Sequence, residues 1–64
     1  MAMEQAEAQE RFDAGYRQAE LHSRDGLIEE KPYGQTTPDN YPWTYWWIKG
    51  YNTFNEEFNA SPTE

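Results

Sequence analysis

The sequence predicts an all-α protein, a two-helix hairpin whose helices are joined by a long linker containing proline and glycine and close over an aromatic core. Three observations carry this expectation. The first 24 residues hold no proline and are dominated by good helix formers. Trp47, Tyr51, Phe54 and Phe58 recur at i, i+4, i+7 and i+11, one stripe along a second helix. Between these stretches, prolines, glycines and short polar residues cluster as turn formers. At 64 residues the chain is one small domain, divided into a helix over residues 3–24, a linker over 25–40, a helix over 41–58 and a flexible tail over 59–64.

In the first helix, Phe12, Tyr16 and Ala19 fall on one face, with Gly15 among them. Glu4, Glu7 and Glu10 complement the positive end of the helix dipole. Glu7 with Arg11, Asp13 with Arg17 and Glu20 with Arg24 are each spaced i, i+4 with the acid first, the favourable order for an ion pair. Asp25-Gly26 reads as the helix stop, with Gly26 free to take the left-handed conformation. His22 reads as a surface histidine near that end.

The linker is long for a helix–helix connection, so it should pack on something. Leu27, Ile28 and Tyr33 are the residues able to do so, whereas Glu29-Glu30-Lys31 reads as solvated. Pro32-Tyr33-Gly34 marks one turn, and residues 36–40 a second irregular piece. Asn40 or Tyr41 is the expected cap of the second helix, with Pro42 tolerated in its first turn. Trp43 and Gly50 lie on the side of the aromatic stripe; Tyr45, Trp46, Ile48 and Lys49 point elsewhere. The expected core is Phe12, Gly15, Tyr16, Ala19, Tyr33, Trp47, Gly50, Tyr51 and Phe54. A glycine inside a helix costs about 1 kcal/mol relative to alanine, so Gly15 and Gly50 should each have a packing reason, namely close approach of the two backbones.

With no cysteine there is no disulfide, and His22 has no partner at metal-ligand spacing. No nucleophile–base set or glycine-rich phosphate loop is present. A non-enzymatic protein without cofactor or metal is therefore expected. No apolar run is long enough to span a membrane, nor does the N-terminus resemble a signal peptide, so the expectation is a soluble cytoplasmic protein without membrane contact. The formal net charge is −7. That argues against direct nucleic-acid binding, which depends on basic residues neutralising phosphates. It favours a basic protein surface as partner, or simply serves solubility.

The candidate contact residues are the acids Glu7, Glu10, Asp13 and Glu20 and the aromatics Trp43, Tyr45 and Trp46. Tryptophan and tyrosine are enriched among binding hot spots. The expected role is to bind, and so modulate or inhibit, a basic nucleic-acid-handling protein complex, in the manner of small acidic inhibitors encoded by phages and mobile elements. The competing expectation is that the linker, or a second copy in a homodimer, covers the same aromatics.

Three short motifs stand together: Gly15-Tyr16-x-x-Ala19, Lys31-Pro32-Tyr33 and Trp47-x-x-Gly50-Tyr51. They resemble the ribosome modulation factor group, over roughly residues 12–54. The resemblance implies two packed helices, with packing roles for Gly15, Tyr16, Pro32, Tyr33, Trp47, Gly50 and Tyr51. It also implies an alternative function, a ribosome-associated modulator. The chain departs from the group's basic character, carries Lys31 before Pro-Tyr, and has a longer linker with extra aromatics. Contact through basic ribosomal proteins in place of RNA is what such an acidic relative would use.

Overall fold

The computed structural model describes residues 3–59. Two helices, α1 (Gln5–Arg24) and α2 (Pro42–Asn59), pack on each other, and among the described residues there is no strand. Most of the expected tail, residues 60–64, lies outside the described residues.

Gly15 and Gly50 set the crossing. A methyl placed on Gly15 would run into the carbonyl group of Trp47, and one on Gly50 into the carbonyl group of Phe12. Each helix thus uses a missing side chain to admit the other's main chain. Both glycines are buried, with Ala19 and Tyr51 fully so. Around the crossing, Phe12, Tyr16, Trp47 and Phe54 are half-buried. Tyr16 meets Phe54 edge-on at 5.1 Å, and Trp47 stacks on Tyr51 at 5.3 Å.

Contacts on either side of the crossing join like halves of the two helices. Arg11 lies against Trp43 before it; Tyr16 bonds Glu57 and His22 bonds Tyr51 beyond it. A chain leaving the end of α1 must therefore travel back before α2 can start, which is the physical reason for the long linker. Its course is fixed by contacts with α2. Lys31 meets Asn52, and then Tyr33 packs on Tyr45 at 5.3 Å. The first residues past Arg24 form a closed cap. Leu27 N–H bonds the His22 carbonyl and Gly26 N–H that of Ser23, with Gly26 at φ 71°, the paired bonds of a Schellman ending.

The linker accounts for several differences from the sequence expectations. Ile48 does not point away from the core: it is 8% exposed. Ile48, Asn52 and Asn55 form a second buried stripe on α2 at i, i+4, i+7, and at Asn52 the linker main chain meets it. Lys31, expected in a solvated stretch, is half-buried because its main chain is held by Asn52. Leu27 in contrast is exposed, leaving Ile28 and Tyr33 as the half-buried residues of this segment.

Tyr41 is the residue before α2, as expected, and its carbonyl accepts from Tyr45 N–H at 2.8 Å. Ahead of it stands a further turn. Thr37 Oγ1 accepts from Asn40 N–H at 3.1 Å, while Asn40 Oδ1 accepts from Thr37 N–H at 2.6 Å. This is a capping box with asparagine in place of the usual glutamate or glutamine. Tyr41 N–H reaches back to the Thr37 carbonyl, and Asn40 Nδ2 donates to the Gln35 carbonyl. Residues 37–40 are thus a hydrogen-bonded preface to the helix. On α1, only the expected Glu20–Arg24 ion pair forms among the described residues, at 3.8 Å. Arg11 is drawn instead to Trp43, and Asp13 accepts from Gln9.

Candidate interaction surface

The four acids singled out by the sequence, Glu7, Glu10, Asp13 and Glu20, are all exposed on α1. At 3.6 residues per turn they fall away from the glycine face, interspersed with Arg17 and Arg24. Among the described residues, Glu7 and Glu10 have no basic partner. Asp13 takes the Gln9 amide at 2.9 Å, and Glu20 holds Arg24 in a loose, solvated pair. The first half of this helix therefore carries several acids against one base, Arg11.

The three candidate aromatics have different surroundings. Trp43 is 61% exposed, with the Arg11 guanidinium 4.3 Å from its ring centroid, a cation–π contact. It stands at the surface beside Arg11 of α1. Tyr45 and Trp46 are half-buried. Tyr45 is held between Tyr33 and Trp46, with ring centroids 5.3 and 5.1 Å away. Tyr45 therefore belongs to the packing of the linker, not to an open surface. Tyr41, expected as a helix cap and not among the candidate contact residues, is 58% exposed just before α2 and adds to the open aromatic area. Its position one residue before Pro42, outside the helical stripe, was the available signal.

Trp46 opens onto a groove of about 390 Å³ between the start of α1 and the capping turn. Met3, Ala8, Phe12 and Trp46 make its apolar surface, and Pro38 and Asp39 form the wall contributed by the turn. Gln5 and Gln9 complete the rim. No basic residue lines it. The Thr37–Asn40 box holds the Pro38-Asp39 wall, since Asp39 N–H also donates to Thr37 Oγ1 at 3.2 Å.

A buried polar cluster sits at the other end of the helix pair. Tyr51 is fully buried, and its hydroxyl shares a 2.6 Å hydrogen bond with His22 Nδ1. Lys31 Nζ lies 5.0 Å from the Tyr51 ring centroid. His22 is thus a half-buried packing residue, contrary to the surface position expected for it. Asn52, 3% exposed, accepts from Lys31 N–H at 2.7 Å and donates to the Lys31 carbonyl at 2.8 Å. Its amide supplies the linker with the donor and acceptor that a neighbouring strand would otherwise provide. Nearby on the surface, Tyr16 donates to Glu57 Oε1 at 2.7 Å; this bond first, then burial, raises its pKa above 10.0.

These polar groups serve packing. Every buried side-chain nitrogen or oxygen among the described residues has a partner. No group of His, Asp or Glu among them is arranged to hold a metal ion. Neither helix is long and apolar enough to cross a membrane. No protein-family model matches the chain, and no curated protein or solved structure matches it either.

Proposed function

We propose that this is a small acidic, non-enzymatic interaction protein that docks on a basic surface of a nucleic-acid-handling complex and modulates or inhibits it. One observation carries the reading. Glu7 and Glu10, exposed and without basic partners among the described residues, stand on the same helix as Arg11, which leans on the exposed Trp43. A large, rigid aromatic beside uncompensated carboxylates suits a partner rich in lysine and arginine. The aromatic supplies contact area, and the acids supply steering and register. The formal net charge of −7 repels nucleic-acid phosphates and attracts the basic proteins that accompany them.

The test is capture from bacterial lysate with the immobilised protein at low and at high salt. The reading expects basic proteins, free of nucleic acid after nuclease treatment, that are released as salt screens the charges. Capture indifferent to salt, or capture of naked nucleic acid, contradicts it.

A ribosome-associated modulator is the second reading. It is supported by the convergence of the three motif segments: Gly15 lies on the Trp47 backbone, and Lys31, which precedes Pro32-Tyr33, lies over Tyr51. Sedimentation of a stationary-phase extract tests it, with co-migration with ribosomal particles expected. A protein that stays at the top of the gradient ends this reading.

A further inference from the structure

We propose that the groove beside Trp46 receives one apolar side chain of a basic segment on the partner. The inference rests on the acidic-surface reading and adds to it a location and a chemistry. The groove's volume of about 390 Å³ is within the range of roughly 300–1,000 Å³ typical of ligand sites. Phe12 and Trp46 give it aromatic walls, and Met3 and Ala8 continue the apolar surface. Its shape is supported from behind: Trp46 meets Tyr45 edge-on at 5.1 Å, and the Thr37–Asn40 bonds hold the opposite wall.

Charge at the mouth selects the occupant. Asp39 stands on one wall, and its carboxylate has no partner among the described residues. On the other side Gln9 is tied to Asp13 at 2.9 Å, so a second carboxylate lies behind the rim. Three of the chain's five bases are engaged away from the groove: Arg11 on Trp43, Lys31 on Tyr51 and Arg24 on Glu20. An apolar floor walled by the Asp39 carboxylate, on a chain of net charge −7, favours an apolar residue flanked by lysine or arginine. A second copy of this chain is the wrong occupant, because two molecules each carrying −7 repel.

The probe is a pentapeptide of one leucine between two pairs of arginines, titrated into the ¹⁵N-labelled protein. Controls replace the leucine by glycine, or the arginines by glutamates. The leucine–arginine peptide should bind about tenfold or more tighter than the glycine peptide, and should shift the Trp46 indole signal more than that of Trp43. Ala8→Met, which fills the groove from a half-buried position, should remove that preference. Equal, salt-sensitive binding of the leucine and glycine peptides would overturn the groove proposal and leave the acidic surface standing. So would a shift centred on Trp43. Equal binding of the glutamate-flanked peptide would overturn the charge selection, and binding of no peptide would count against both readings.

Discussion

Gly50 rests on the main chain of Phe12, so closely that a methyl group at position 50 would occupy the space of the Phe12 carbonyl. Gly15 stands in the same relation to Trp47. Alanine is the better helix former by about 1 kcal/mol, so intrinsic propensity alone makes Gly50→Ala stabilising. The crossing predicts the opposite. The obstructing atoms are backbone and cannot rotate away, so the helices must separate. The expected loss is about 3 kcal/mol, at the upper end of ordinary overpacking, seen as a lower midpoint in urea by circular dichroism. Gly26→Ala is the control: it faces open space, and its cost of about 1–2 kcal/mol comes from a positive φ alone.

The glycine pair and the aromatic stripe of α2 were legible because each announces itself locally, one by its helix-breaking cost and the other by period. The second buried stripe was not. Asn52 and Asn55 read as surface residues on any hydropathy pattern, and Ile48 appears isolated between Trp47 and Lys49. Asn52 is buried where the linker crosses α2, and there a backbone with unpaired N–H and C=O groups is best covered by an amide. The polar residue is thus the signature of a main-chain partner, and only the path of the linker reveals it. The same cause hid the roles of Lys31 and Tyr45. The split among Trp43, Tyr45 and Trp46 follows from it too, because the linker covers Tyr45 and leaves Trp43 open.

Asn52→Ala should loosen the linker. It removes an acceptor and a donor from the Lys31 main chain and leaves that peptide partly buried without partners. The expected destabilisation is about 2–3 kcal/mol. Hydrogen exchange gives a local readout: the Lys31 amide should lose its protection, while the amides at the glycine crossing keep most of theirs. Unchanged protection of Lys31 would contradict the clamp.

Thr37→Ala removes the hydroxyl that accepts from the Asp39 and Asn40 amides. A loss of about 1 kcal/mol is expected, as for other N-terminal caps. The structural consequence should be confined to the turn and the first residues of α2, with chemical-shift changes at Trp46 and little change at Phe54. Equal disturbance at both ends of α2 would contradict a local cap.

Tyr16 should titrate above the ordinary tyrosine value of 10.0, because its proton is held by Glu57. Folding raises this pKa, so the contribution of the bond is complete below the unfolded value and is lost as pH climbs through the folded one. Glu57→Gln should move the titration back toward 10.0, followed by the ring signals of Tyr16 in NMR. An unchanged Tyr16 titration in that variant would remove Glu57 as the cause.

The functional account turns on the outer side of α1, and neutralising it is the most direct measurement. The variant E7Q/E10Q/D13N/E20Q changes exposed groups and preserves their size, so its circular dichroism should match the parent helix pair. Beside the parent protein at low salt, it should recover much less of the basic protein captured from lysate, and added salt should then make little further difference. Undiminished capture by the folded variant, with the same dependence on salt, would contradict the account.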